Sequence, residues 1–239
     1  WTLICFPLAS LAVLVTFRAE ASMWVVKVLW SRVLIWAGGA TLEVQGAENI
    51  PRGVPLVFVA NHQSTIDIPV LFATVPASFV FVAKKSLMYV PALGWYMWLA
   101  RFVFVDRGNR KEAIASLEKA ARQIQGGVSI AMFPEGTRSE TCQVMPFKKG
   151  PFALAMRAGV PLVPVTIEGS GRLMPKASWN ITPGPIRVSI GAPIDPRPFG
   201  DDRDGLMRAV RDIIIAQSLA LGGRGGTTDT PAALAARAG

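Results

Sequence analysis

Histidine is nearly absent from this chain: the 239 residues contain one, His62. Chemistry near neutral pH that needs an imidazole must use that residue or do without. Cysteine is almost as scarce. Cys5 and Cys142 stand far apart and make no spaced framework, which argues against a disulfide scaffold. With a single histidine they also supply too few ligands for a His/Cys zinc site. Charge is thin, at 17% of residues against 51% hydrophobic, so the chain is more apolar than a typical soluble domain. Acidic residues are the scarcer sign, 16 against 25 Lys and Arg, for a net charge of +9. That balance suits an anionic partner, either a nucleic acid or an acidic membrane surface. The aromatic residues cluster with aliphatics instead of interleaving with lysines, which favours the membrane and disfavours nucleic acid. A nucleophile elbow is also missing. Gly169-Ser170-Gly171 lacks the Gly-x-Ser-x-Gly pattern of a serine hydrolase, although Ser64 remains a serine near the histidine.

Trp1 to Phe17 carries no charged side chain, and at seventeen residues it reaches the short limit for a membrane span. Met23 to Ala40 places Lys27 and Arg32 among Trp24, Trp30 and Trp36, a mixture suited to a helix in the headgroup layer. An ordinary pair of core helices is the plainer alternative; a signal peptide is disfavoured because no basic segment precedes the apolar run. Residues 1–40 are therefore expected to form membrane-anchoring helices.

From Thr41 short β-rich runs alternate with helical stretches. Strands are expected at Leu42 to Gly46, Pro55 to Ala60, Phe79 to Ala83, Phe102 to Val105, Val128 to Met132, Leu162 to Ile167 and Ile186 to Ile190. Asn109 to Gln125 reads as an amphipathic helix closed by Gly126-Gly127, and Pro151 to Ala158 and Asp201 to Leu221 are two more. Alternation of this kind implies an α/β domain over residues 41–221, with helices flanking a central mixed, largely parallel sheet. Residues 222–239, beginning Gly-Gly-Arg-Gly-Gly, have little to bury and are expected to be a disordered tail.

His62 follows the expected strand Pro55 to Ala60, at the end of a parallel sheet where open α/β folds hold their sites. Asp67 stands five residues later in Asn61-His62-Gln63-Ser64-Thr65-Ile66-Asp67. On one continuous helix the two side chains would point about 140° apart, at about 100° per residue. They meet only if His62 sits on the loop before the helix. A carboxylate there would fix the imidazole tautomer and leave the other nitrogen to take a proton. The spacing alone is also compatible with a histidine that merely caps a helix.

Phe133-Pro134-Glu135-Gly136-Thr137-Arg138-Ser139 follows another expected strand. Gly136 permits a tight turn, Arg138 offers a planar fork for a phosphate, and Glu135 could orient that fork or bind a hydroxyl. A surface ion pair on a turn would use the same residues. Lys148 and Lys149 precede a helix N-terminus, while Lys84-Lys85 and Arg107 follow two more strands. Several strand ends with cations beside one histidine suggest a pocket for a phosphorylated substrate. Ser86 to Arg101, rich in aromatic and Met side chains, suits either a membrane-facing or acyl-binding surface or a buried helix.

Together these blocks resemble the 1-acyl-sn-glycerol-3-phosphate acyltransferase family, which makes phosphatidic acid from lysophosphatidic acid. The resemblance rests on Asn61 to Asp67, Phe104-Val105-Asp106-Arg107, Phe133 to Ser139 and Val160-Pro161-Leu162-Val163-Pro164-Val165, in the family's order over residues 55–170. Lys84, Pro91, Gly94 and Phe147 to Gly150 fit the connecting pattern. The resemblance implies a single acyltransferase domain in which His62 is the general base and Asp67 its orienting carboxylate. Arg107, Glu135, Gly136, Thr137 and Arg138 would hold the glycerol-phosphate end, with Lys84 and Lys148 assisting. It implies direct attack on the thioester of acyl-CoA or acyl carrier protein as co-substrate, without metal, cofactor or acyl-enzyme. A membrane-associated enzyme at the cytoplasmic face of the inner or plasma membrane would follow. Another lyso-lipid acceptor, such as lyso-ornithine lipid, and a non-catalytic lipid-binding protein are the competing readings. Arg101 departs from the pattern, standing where the second block often has glycine.

Overall fold

The computed structural model describes residues 1–106 and 108–227; Arg107, the Arg110 side chain and residues 228–239 lie outside the described residues. Its strands are β1 (Ala40–Gln45), β2 (Val57–Ala60), β3 (Phe79–Lys84), β4 (Val103–Val105), β5 (Ser129–Met132), β6 (Leu162–Glu168) and β7 (Gly184–Ile190). All seven strands expected from the sequence are there, with ends shifted by at most two residues. They form one sheet in the order β1-β7-β6-β2-β5-β3-β4. β6, β2, β5, β3 and β4 run parallel to one another. β7 meets β6 antiparallel and pairs with β1 in parallel, so the sheet is mixed and largely parallel. β2, β5 and β6 are buried at every position, which is why they read as unbroken apolar runs without alternation.

The helices are α1 (Thr2–Thr16), α2 (Val33–Ala37), α3 (Asp67–Thr74), α4 (Leu93–Leu99), α5 (Arg110–Gln125), α6 (Gly150–Ala158), α7 (Ser170–Leu173) and α8 (Arg203–Ala220). α5 begins where Asn109 accepts from the amides of Lys111 and Glu112, satisfying two donors that a helix start leaves open.

The N-terminal segment is helical but does not match a membrane span. α1 has fifteen residues, about 22 Å at 1.5 Å per residue, against a hydrocarbon core about 30 Å thick. Among the described residues no helix is long and apolar enough to cross a membrane. One face of α1, with Cys5, Phe6, Ala9 and Val13, is buried against the body. Phe6 stacks on Tyr96 of α4 at 5.1 Å and lies 5.0 Å from Trp30. Lys27 and Trp30, expected among lipid headgroups, instead face the protein. Trp30 is 9% exposed. The Lys27 ammonium donates to the carbonyls of Val75 (2.9 Å) and Ala77 (2.7 Å), just past the C-terminus of α3, where the helix dipole favours a cation. Burial lowers its pKa from the ordinary 10.5. Trp24 and Trp36 do remain exposed.

Ser86 to Arg101 contains the buried helix that was one of its alternatives. α4 buries Tyr96 and Met97 while Trp95 and Trp98 face outward. Residues 222–227 differ from the expected disorder. The Val144 amide donates to Gly225 and the Thr227 amide to Val144, so the chain stays on the body past Leu221. Glycine is required there for contact: a Cβ on Gly223 would collide with the Glu168 carboxyl.

Arg101 has φ +61°, a left-handed conformation that disfavours any side chain by about 1–2 kcal/mol. Its side chain is exposed, so little packing offsets the strain. Arg101→Gly is expected to raise stability by about 1 kcal/mol, reduced by the greater freedom of glycine in the unfolded chain; urea unfolding midpoints check this, and an unchanged or lower midpoint would count against it.

Candidate active site

The site forms where β2 runs out. Asn61 is buried just beyond Ala60, and its side-chain amide donates to the Ile167 carbonyl (2.9 Å) while its oxygen accepts from the Ile167 amide (2.8 Å). The side chain thus does the work of one more rung of the β2–β6 ladder, and it fixes His62 at the carboxyl edge of the parallel strands. The chain then turns for four residues before α3 starts at Asp67. This is the geometry under which a histidine and an aspartate five apart can meet.

They do meet. His62 Nδ1 donates to Asp67 Oδ2 at 2.8 Å. The same oxygen accepts from the amides of Gln63 (2.7 Å) and Ser64 (2.8 Å), so loop and carboxylate hold each other. Asp67 is fully buried, while the His62 side chain is 15% exposed. Binding of Nδ1–H to the carboxylate leaves Nε2 as the lone-pair nitrogen. Among the described residues nothing bonds Nε2. The imidazole also stacks on Phe133, with ring centres 3.9 Å apart and planes 13° from parallel, so it cannot swing away from that orientation freely.

The segment after β5 grips the same residue. Glu135 is 4% exposed; its Oε1 accepts from the His62 amide at 3.0 Å, and the Ser139 amide donates to the His62 carbonyl at 2.8 Å. Burial pushes the Glu135 carboxyl well above its ordinary 4.5, opposed by the His62 and Met145 peptide groups and by Arg211, and reinforced by the nearby Asp67 charge. Its carboxyl is thus buried against the His62 backbone.

Cations stand on the open side. Arg138 donates to the Thr65 hydroxyl at 2.7 Å, which carries its guanidinium to the loop between His62 and Asp67. Gly136 has φ +73°, and a Cβ there would lie 2.8 Å from Cε of Lys148. Lys148 thus lies directly over the Gly136 backbone, with its own amide bound to the Pro134 carbonyl. Thr137 is exposed beside them. Lys84 is exposed at the end of β3, on the same edge of the sheet, but β5 separates β3 from β2. Arg107 lies outside the described residues. Asn61, Gln63, Thr65 and Phe133 also serve the site, although the motif reading assigned them no part.

A single imidazole held by a buried carboxylate thus stands at the carboxyl ends of the parallel strands. The acyltransferase family model matches residues 41–168. The chain is 34% identical to the 1-acyl-sn-glycerol-3-phosphate acyltransferase of Saccharomyces cerevisiae, over 87% of this chain and 70% of that protein. It is 36% identical to the chloroplastic 1-acyl-sn-glycerol-3-phosphate acyltransferase BAT2 of Brassica napus, over 81% of this chain. The chain spans only 55% of that plant protein's length. The crystal structure of the 1-acyl-sn-glycerophosphate acyltransferase PlsC from Thermotoga maritima is similar at a TM-score of 0.77 and 32% identity, covering 87% of this chain and 83% of that one. The chain belongs to the acyltransferase family.

Glu135 gives a pH test. Its pKa is raised in the fold, so its stabilising contribution is present below about 4.5 and is lost as pH rises through the raised value. Glu135→Gln keeps the oxygen that accepts from His62 but cannot ionise. The variant is expected to gain stability relative to the parent as pH rises from 4.5 toward neutral, read from denaturant midpoints; parallel curves would refute the assignment.

Proposed function

We propose that the protein transfers an acyl chain from an acyl thioester to the free hydroxyl of lysophosphatidic acid, making phosphatidic acid. The observation that carries this reading is the His62 Nδ1–Asp67 Oδ2 hydrogen bond, which leaves Nε2 as the base beside Arg138 and Lys148. Nε2 takes the acceptor's hydroxyl proton as the oxygen attacks the thioester carbonyl carbon. The tetrahedral intermediate collapses, the C–S bond breaks, and the thiolate leaves with the proton returned by the imidazolium. Asp67 stabilises that imidazolium while it exists. An ester and a thiol are the products, and no acyl-enzyme, metal or cofactor enters the balance. Acyl-CoA and acyl carrier protein both supply the required thioester.

Arg138, with Lys148 and the Gly136 turn, is suited to the acceptor phosphate. Thr137, Lys84 and Arg107 join them in this reading. Glu135 serves the same end indirectly, by holding the His62 backbone.

The protein works seated on a membrane. Leu3, Leu8, Leu11 and Val15 on α1, and Trp95 and Trp98 on α4, are exposed apolar side chains on two helices that pack together. Such a face suits shallow insertion, and the +9 charge suits an anionic leaflet. The cytoplasmic face of the inner or plasma membrane, where thioester donors and acidic lipids meet, is the location this implies.

The direct test is thiol release from long-chain acyl-CoA, with and without lysophosphatidic acid, and mass spectrometry of the lipids. Acceptor-dependent release giving phosphatidic acid is expected, and His62→Ala should lower kcat by about a thousandfold. Turnover that survives the substitution would overturn the base assignment. Arg138→Ala is expected to raise the acceptor KM about tenfold and to leave the thioester KM nearly unchanged; an equal effect on both would remove Arg138 from the phosphate.

A further inference from the structure

A buried polar chain leads out of the loop that carries His62. Gln63 follows His62 directly, and its amide donates to Asp67. Its own side chain is 1% exposed. Gln63 Nε2 donates to Glu168 Oε2 at 3.0 Å and to the Cys142 carbonyl at 3.1 Å. Glu168, at the end of β6, is 3% exposed. Its other oxygen accepts from the Ser218 hydroxyl of α8 at 2.6 Å, and that hydroxyl accepts from the Gly225 amide at 3.2 Å. Gly223 packs so closely over the Glu168 carboxyl that no side chain fits there.

We propose that Glu168 is a positioning residue for the His62–Asp67 base, acting through the side chain of Gln63. The inference rests on the acyl-transfer reading for its kinetic consequence, but its structural consequence stands apart from it. Three hydrogen bonds onto one Asp67 oxygen require the Gln63 amide to be held at a fixed place and angle. A buried glutamine with a carboxylate acceptor is held so; without that acceptor its Nε2 group loses one of two partners, and the loop is free to shift. Misplacement of a base by about 1 Å lowers turnover about a hundredfold. α8 and residues 222–227 thereby act on the base, although Ser218 and Gly225 lie beyond the family's matched residues 41–168. What Glu168 must supply is an acceptor, not a charge. In Glu168→Gln the amide oxygen can face Gln63 and the NH2 group can donate to Ser218.

The experiment combines kinetics with the chain's single histidine. Its imidazole Cε1–H resonance needs no assignment, and it reports on the base whether or not substrate turns over. Gln63→Ala, Glu168→Ala, Glu168→Gln and the Gln63→Ala/Glu168→Ala double variant are compared, with folding checked by thermal melts. Each alanine variant is expected to lower kcat by tenfold or more, with both KM values within about twofold. Each should also shift the imidazole resonance. The double variant should be no worse than the worse single, since both break one chain, and Glu168→Gln should restore most of the loss. Multiplicative losses, an unmoved resonance in folded Gln63→Ala and Glu168→Ala, or losses confined to KM would overturn the proposal. If Glu168→Ala does not fold, Gln63→Ala and Glu168→Gln decide by the same two readouts. A parent protein that releases no thiol, but whose resonance still moves in the variants, would sink the acyl-transfer reading and leave Glu168 as the positioning residue.

Discussion

Asp67 Oδ2 accepts three hydrogen bonds, one from the His62 imidazole and two from the peptide groups that follow it. Each of the surrounding features makes that arrangement possible. A fully buried carboxylate destabilises a fold unless its partners are all supplied at good geometry. Here Oδ2 takes three, from His62, Gln63 and Ser64, while the buried Oδ1 has no hydrogen-bond partner among the described residues. α3 has to start at Asp67, because a helix running through His62 would carry the two side chains apart. β2 has to end at Ala60, and the Asn61 side chain extends its ladder without extending its backbone. The stacked Phe133 ring then closes the last freedom of the imidazole.

The polar interior around this loop is acidic to an unusual degree for a chain of net positive charge. Asp67, Glu135 and Glu168 are all nearly or fully buried, and none forms an ion pair with Lys or Arg among the described residues. The Lys and Arg ion pairs that do occur, such as Lys85–Glu112 and Lys149–Asp204, are at the surface, where each contributes little. Peptide amides and neutral side chains serve the buried acids instead. Burial raises both Glu135 and Glu168 above the ordinary carboxylate range. Arg138 and Lys148 stay at the Thr65 loop and the Gly136 turn, next to the one imidazole.

The sheet and the His62–Asp67 contact were legible in the sequence for different reasons. Strands such as β2, β5 and β6 are buried on both sides, so their apolar runs stand out without any alternation. The His62–Asp67 contact could be inferred because helix geometry forbids it anywhere but on a loop. Pairing was beyond reach: nothing local sets β1 beside β7, nor turns β7 antiparallel to β6. Lys27 misled because a cation among tryptophans looks the same whether it reaches for headgroups or for the carbonyls of Val75 and Ala77. Gly223 misled because glycines that permit contact and glycines that permit motion share one letter. Glu168 did carry a signal, an acid directly after a buried apolar run, and the contact that explains it lies 105 residues away at Gln63.

Lys27 has a practical corollary. α3 is eight residues long, about 12 Å; at its front end sits the carboxylate that orients the base, and just beyond its back end two carbonyls are held by an ammonium from the N-terminal helices. Removing residues 1–40 to obtain a better-behaved protein would strip the counter-charge from α3 and take Phe6 and Trp30 away from the Tyr96 and Phe72 rings they pack against. The segment that looks most like a removable anchor is part of the seat of Asp67.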